Sequence, residues 1–488
     1  MYKSQKEERI QNKKSFKCRC LATDFHDCYV SLFLKSAVTR YKCVFKIPVF
    51  ESKQFESMHY RNHIREERIC RHVIIQSVQS MTEIEFGRSI RRTCFGFKEG
   101  YFFLNHGSYG AVPVPVRERQ KELLDLMNEN PDRFYKIVEG RLYDEARRAA
   151  SAFLGAKAEN LVFVPNATTG VNTVLRSLPW DDGDEILGTN FTFTSNVNAC
   201  RSVADSINGK FHQFQIRFPI KDSSEIVKSM TSYLDNFQKI RLVVLDHISS
   251  PTTVVFPVKE MIAECRKRHV LTLVDGAHAI GQVEVNLEDL RPDFYTGNFH
   301  KWLYTPRGCA ILWVAEEHQK WCAPLLISLQ YKKGYQKEFK IQGTRDNIPY
   351  LVVPEVLKFF EDIGGLEKIH CYADTLLDSA CQMLWNRLGA RPVEVPESMK
   401  APNMRLIHLP RFKGYTINFE GARKLNLDIM EKHKVVCLIC AVQGQFFLRL
   451  SANVYNELSD FVKLVDALSQ INWKDSIHTN PVSHKCKL

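Results

Sequence analysis

Between Leu161 and Val314 short apolar runs alternate with amphipathic stretches of helical length, and no other feature limits the possible folds as strongly. Leu161-Val-Phe-Val, Glu185-Ile-Leu-Gly, Phe211-His-Gln-Phe, Leu242-Val-Val-Leu and Leu271-Thr-Leu-Val read as strands; Thr169 to Leu178, Ser195 to Ile207, Glu225 to Phe237 and Val258 to Arg268 read as the helices between them. Uninterrupted apolar runs belong to strands buried on both faces. The pattern therefore predicts an α/β domain whose mostly parallel sheet is covered by helices on both sides. In such sheets ligands bind beyond the carboxyl ends of the strands.

Two of those ends carry reactive groups. Leu271-Thr-Leu-Val runs into Asp275-Gly-Ala-His278, and from Asp293 to Val314 two apolar runs flank a polar knot of Asn298, His300 and Lys301. A lysine held between strands and among aromatics is poorly solvated, loses its proton more easily than a surface lysine, and as a neutral amine attacks aldehydes to form imines. With Asp275 nearby, this is the pair a pyridoxal phosphate site needs: a buried carboxylate keeps the pyridine nitrogen protonated and the amine holds the aldehyde. The ordinary reading is a common Asp-Gly turn and a satisfied strand end beside Trp302.

Other segments are compatible with ligand contact. Pro165-Asn-Ala-Thr-Thr-Gly170 opens the first helix of the alternation, where free amides and the hydroxyls of Thr168 and Thr169 suit a phosphate, or simply cap the helix. Tyr101 to Pro113 is a short strand entering a Gly, Ser and Pro loop that presents Asn105, His106 and Ser108; such loops touch ligands or merely turn. Arg449 lies in the apolar strand Phe446-Phe-Leu-Arg-Leu-Ser and needs an anionic partner, either a substrate carboxylate or a structural one. No Gly-Lys-Ser/Thr follows the first loop and no G-x-G-x-x-G occurs, which disfavours a nucleotide enzyme.

The chain divides by composition and pattern. Residues 1–80 hold 16 Lys and Arg against 8 Asp and Glu, most of the overall net charge of +12, with no clean helical or strand period; we read them as a weakly ordered basic extension, dispensable for cofactor binding. No RNA-binding signature or finger spacing accompanies these charges, so nucleic acid is not an expected partner. Residues 81–365 read as the large domain, 81–140 being its N-terminal arm with helices at Val116 to Met127 and Arg141 to Phe153. Helices at Leu351 to Ile363 and Leu366 to Leu388 follow. Residues 366–475 mix strands, such as Arg405-Leu-Ile-His-Leu, with a closing helix at Glu457 to Leu468, and form a smaller α+β domain; 476–488 are a tail. Fifteen cysteines without regular spacing fit reduced thiols, and no metal site is expected. No apolar run reaches the roughly twenty residues of a membrane span. The terminal Cys486-Lys487-Leu488 is a near variant of a peroxisomal address, so a cytoplasmic or peroxisomal location is expected.

The ordered set Asn-His-Gly-Ser-Tyr-Gly, Asn-Ala-Thr-Thr-Gly, Val-Asp-Gly-Ala-His, Gly-Asn-Phe-His-Lys-Trp, Gly-Thr-Arg-Asp and Arg-Leu-Ser-Ala-Asn-Val-Tyr-Asn, spread from about Tyr101 to Leu468, resembles the class V aminotransferase family and its isopenicillin N epimerase-like branch. The resemblance implies fold type I, a seven-stranded type of sheet, and a homodimer with shared active sites. It implies that Lys301 holds the cofactor as an imine and later moves protons at the alpha carbon, that Asp275 pairs with the pyridinium, and that His278 reaches the ring hydroxyl. Ala167, Thr168, Thr169 and His300 would hold the phosphate, Phe193 (or Phe191) would stack on the ring, and Ser249 and Ser250 would lie near it. Gly343 and Thr344 would reach the phosphate of the neighbouring subunit, Arg449 would clamp the substrate carboxylate, and Asn105 and His106 would face the substrate. No cysteine occupies a mobile-loop position suited to persulfide chemistry. The implied activity is a carbon–sulfur lyase or epimerase acting at the alpha carbon of an amino acid or cysteine derivative, with an aminotransferase as the alternative and a silent binding protein as the alternative of another class.

Overall fold

The computed structural model describes residues 84–471, so the basic extension at 1–80, the tail at 476–488 and its Cys-Lys-Leu ending lie outside the described residues. Seven strands build the central sheet: β1 (Leu161–Val164), β2 (Glu185–Thr189), β3 (Phe211–Phe214), β4 (Ile240–Asp246), β5 (Leu271–Asp275), β6 (Phe294–Asn298) and β7 (Ala310–Val314). Their spatial order is β1-β7-β6-β5-β4-β2-β3. All neighbours run parallel except β7, which is antiparallel to both β1 and β6. A parallel return needs a crossover of a dozen or more residues, usually a helix. The link from Asn298 to Ala310 is too short for one, so the chain doubles back, and Lys301 sits in that reversal.

Alternate residues of each strand feed different cores. Val162, Val164, Leu242, Val244, Leu273 and Leu312 pack on helices α3 (Ala167–Ser177) and α4 (Thr194–Ser206). Leu161, Phe163, Val243, Leu245, Val274 and Ile311 face a second core with α1 (Val114–Glu129), α2 (Glu139–Phe153), α5 (Ser223–Asn236), α6 (Val258–Lys267) and α7 (Val353–Asp362). Both faces are dry, which is why the strands read as continuous apolar runs. Helix ends differ from the sequence reading where side chains intervene. Helix α3 begins earlier than expected because Asn166 caps it, accepting a hydrogen bond from Thr169 N. The helix expected from Leu351 is interrupted, because Pro354 lacks an N–H and starts α7 afresh after a short turn at Ile348–Leu351.

Helix α8 (Gly365–Leu388) leads to an antiparallel sheet of β8 (Arg391–Pro392), β9 (Met404–His408), β10 (Leu438–Val442) and β11 (Gln445–Ser451), ordered β10-β11-β9-β8 and packed with α9 (Phe419–His433) and α10 (Leu458–Ser469). Leu377, Leu384, Leu425, Ile429, Leu448 and Leu464 form its interior. Leu104 enters the same interior, and Phe102–Phe103 pairs in parallel with Val435–Val436. The expected N-terminal arm is thus shared between the two cores, a non-local pairing that no local sequence pattern encodes.

Helix α3 lies so close to β6 that a Cβ on Gly170 would stand 2.1 Å from Thr296 Oγ1. Gly170→Ala is expected to destabilise the protein by roughly 1–3 kcal/mol, read as a lower urea midpoint with an unchanged denaturant slope.

Candidate active site

Phe299 N and His300 N both donate to Cys309 O, closing the turn that carries Lys301 between β6 and β7. Trp302, Leu303 and Tyr304 bury its flanks. The lysine stem is partly exposed, but the amine points inward. Burial, then the nearby Arg449 guanidinium, push its pKa down to about 8, against the opposing pull of Asp275. A small cavity opens in front of it, lined by Ala167, Thr168, Phe193, Asp275, His278 and Lys301 among others. A larger cleft beside Trp385 and Arg405 lies elsewhere, but its arginine is already paired with Asp374.

At the other end of the cavity, Asp275 closes β5. Its Oδ1 accepts from Ala277 N at 2.9 Å and its Oδ2 from Asn196 Nδ2 at 2.6 Å. Asp246 stands directly beside it, because the two residues pair in register at the ends of β4 and β5. Burial raises both carboxyl pKa values, and the charge of Asp275 raises that of Asp246 further. Two adjacent buried carboxylates do not both ionise. Asp275 has Lys301 and two donors to favour its charged form, so Asp246 keeps the proton, and its Oδ2 is buried without a partner while lining the cavity.

The structure gathers most of the expected residues but not in the same capacity. Ala167 and Thr168 line the cavity at the start of α3, and Ala167 N donates to Asn298 Oδ1 at 2.9 Å. Thr169 is spent instead on the helix cap, its N and Oγ1 both donating to Asn166 Oδ1. Phe193 lines the cavity, whereas Phe191 is buried and stacks on Phe218. Ser250 reaches the wall, while Ser249 is turned into the core between Thr252 Oγ1 and Phe191 O. His300 is not on the wall. Its Nδ1 donates to Cys309 O at 2.9 Å, and burial lowers its pKa to about 4, so the neutral ring has no N–H left on Nε2.

His106 does not face the cavity either: Nε2 donates to Lys301 O at 2.7 Å and Nδ1 accepts from Tyr455 OH at 2.8 Å, making the ring a strut behind the lysine. Arg449 is fully buried one residue behind the wall. Its guanidinium donates to Ser250 O, Asn105 Oδ1 and Ser108 Oγ, and among the described residues its Nε has no partner and no carboxylate pairs with it. Thr344 is exposed and away from the cavity, next to Gly343, whose φ is 90°. Sequence reasoning missed Asn196 and Asp246 as lining or supporting groups, and noted Asn298 only as part of the polar knot around Lys301. Asp246 alone left a signal, as an acid closing an apolar strand in the same way as Asp275. Among the described residues no cluster of side chains suits a metal ion.

This donor set fits pyridoxal phosphate: an amine that readily gives up its proton for the aldehyde, a charged buried carboxylate for the ring nitrogen, a helix start for the phosphate and an aromatic for the ring face. A lysine–carboxylate pair at the carboxyl edge of a seven-stranded, mostly parallel sheet defines a fold type I pyridoxal-phosphate enzyme. The chain belongs to the aminotransferase class-V family, whose pattern matches residues 108–464. It is 28% identical over 439 residues to an L-cysteine desulfhydrase-like protein, lolT2, of Epichloe uncinata, a match covering 80% of this chain and 94% of that protein. Isopenicillin N epimerase of Streptomyces clavuligerus is 26% identical over 389 residues, 75% of this chain and 94% of the epimerase. In fold, the chain resembles the solved complex between the cystine C–S lyase C-DES and its reaction product cysteine persulfide, with a TM-score of 0.64 at 19% identity over 77% of this chain and 98% of that one.

Lys301→Met is expected to raise the stability of the cofactor-free protein by about 1–3 kcal/mol at pH 7. The folded-state pKa, about 8, lies below the ordinary value of 10.5. Between those values the unfolded chain holds more protons, so wild-type stability climbs with pH and the variant's advantage shrinks across that window. Chemical denaturation at several pH values measures it. Because Asp246 is neutral, Asp246→Asn should keep cofactor affinity within a few-fold, whereas Asp275→Asn should weaken it by more than about tenfold; equilibrium titration with the cofactor compares the two.

Proposed function

We propose that this protein is a carbon–sulfur lyase acting on an L-cysteine derivative, and that Lys301, Asp275, His278 and Arg449 carry the reaction. The observation that carries the reading is the pairing of one buried amine, Lys301, with one buried guanidinium, Arg449, that has no carboxylate partner among the described residues. A buried arginine in that state is incomplete, and an amino acid's carboxylate would supply what it lacks once Ser250, Asn105 and Ser108 give way.

When bound, pyridoxal phosphate supplies an electron sink for negative charge at the alpha carbon of the attached amino acid. Asp275 would hold the protonated ring nitrogen with its charge, Asp246 would remain neutral beside it, and Phe193 would pack on the ring. Lys301, as the free amine, takes the alpha proton. The C–H electron pair becomes the bond between the alpha and beta carbons, the C–S pair leaves with sulfur, and the Lys301 ammonium returns a proton to the thiolate. The released aminoacrylate takes up water to give pyruvate and ammonia.

Two observations favour elimination over its competitors. Among the described residues Lys301 is the sole amine on the cavity wall, and the other base there, His278, stands 3.0 Å beside it rather than across from it, which suits proton transfer on one face better than an exchange between two faces. No described cysteine lines the cavity, so sulfur leaves directly rather than on a protein thiol.

We propose further that the enzyme is a homodimer. Leu325, Leu326, Ile327, Leu329 and Tyr331 form an exposed apolar run that suits a second copy, and the exposed Thr344 is placed to act outward rather than on its own cavity. The cytoplasm or peroxisome remains our proposal for its location, tested by fusing the last dozen residues to a fluorescent reporter.

Purified protein should absorb in the visible, and borohydride should remove that band and fix the cofactor on Lys301. With cysteine conjugates, pyruvate, ammonia and thiol should appear in equal amounts. A keto acid that retains sulfur would instead identify a transaminase, and loss of optical activity alone an epimerase. Arg449→Lys should raise KM roughly 10- to 100-fold, the worth of a charge-assisted hydrogen-bond pair, with a smaller effect on kcat.

A further inference from the structure

We propose that Trp302 is a positioning residue: its indole N–H fixes the tautomer of His278, and through that ring it favours the neutral form of the Lys301 amine, the form that bonds the cofactor. The inference rests on the reading of Lys301 as the cofactor-binding amine and adds to it a residue with no other assigned part.

Trp302 Nε1 donates to His278 Nδ1 at 3.3 Å. An indole N–H donates only, so Nδ1 must present its lone pair, and a neutral imidazole then carries its proton on Nε2. Nε2 lies 3.0 Å from Lys301 Nζ. A donating Nε2–H needs a lone pair opposite, and only the unprotonated amine has one. An ammonium would set two hydrogens against each other across that distance. Switching the tautomer to relieve this would turn Nδ1–H against the indole N–H, and an imidazolium fails for the same reason. Of the available protonation states, only the neutral amine leaves both contacts made.

The indole is held so that it does not turn away. It is almost completely buried. A Cβ on Gly107 would lie 3.0 Å from Trp302 Cζ2 and 3.3 Å from His278 Cε1, so a residue without a side chain is required where both rings meet. The His106 ring packs against the indole at 5.0 Å between centroids. Gln282 Nε2 donates to His278 O at 2.6 Å, anchoring the histidine backbone. The other charged or titratable groups facing this chain are Asp275, with Asp246 beside it, Arg449 and His300. Asp275 favours the ammonium. Arg449 opposes it, and burial keeps His278 far below the ordinary imidazole range, where it stays neutral.

The test begins with cofactor-free wild-type protein labelled with ¹⁵N histidine, the His278 signals being identified by their loss in His278→Gln. The expected spectrum shows His278 Nδ1 as an unprotonated, pyridine-type nitrogen and Nε2 as a protonated, pyrrole-type one throughout the neutral range. A proton on Nδ1, or titration of the ring near neutral pH, would overturn the proposal without any variant being needed. In Trp302→Phe, which keeps the aromatic packing but drops the N–H, the pH midpoint for covalent uptake of pyridoxal phosphate should move up by about one unit, slowing uptake near neutral pH about tenfold. The rate at high pH should match wild type. A residue that only packs would slow uptake equally at every pH, and an unmoved midpoint would sink the proposal. Should Lys301→Ala still take up cofactor covalently, the functional reading fails, while the nitrogen spectrum still decides the tautomer.

Discussion

Burying the amine of Lys301 costs free energy because water would have solvated its ammonium form, and the surrounding elements place that cost on the proton rather than on the fold. The amine sits in the reversal between β6 and β7, the only antiparallel turn among the site-forming strands of the large sheet. Its backbone is pinned by Cys309 O from within the turn and by His106 from outside. A rigid turn with a desolvated tip has one inexpensive response, which is to release a proton. The easily deprotonated amine that our proposed chemistry uses is therefore a consequence of packing.

The opposite end of the cavity applies the same principle with the opposite sign. Asp275 is equally buried, yet two donors and a facing lysine favour its charged form, while Asp246, next to it in register, has donors in Thr192 and Phe193 N but no lysine and bears the repulsion of Asp275. One carboxyl is kept charged by the lysine it faces, and its neighbour is kept neutral by that charge, over a few ångströms. A protein able to set the charge of three adjacent buried groups can hold an electron-poor ring beside a nucleophile without either quenching the other.

Much of this was legible from residue order. The apolar runs give a sheet buried on both faces, and the strands appear within a residue or two of where they are read. Lys301, Asp275, His278, Ala167, Thr168 and Phe193 do meet at one cavity. What failed to transfer did so for definable reasons. Thr169 and Ser249 lie beside residues that reach the wall, but a helix cap claims one and the core claims the other. His106 stands in a loop suited to ligand contact, yet both ring nitrogens are consumed by distant groups, Lys301 O and Tyr455 OH. Its partners are remote in sequence, so nothing near it signals a strut.

The sequence by itself determined the layered α/β architecture, the reactive lysine and acid at strand ends, and the family's order of motifs, because hydrophobic periodicity and strand termini are local properties of the chain. Only the tertiary structure decided which groups carry charge and which carry protons. Those states depend on burial and on hydrogen bonds between residues far apart in the chain: Asn196 with Asp275, Asp246 beside Asp275, and Trp302 with His278 beside Lys301. A pKa is set by everything within a few ångströms of a group, and the folded chain fills that space from segments that the linear order keeps apart.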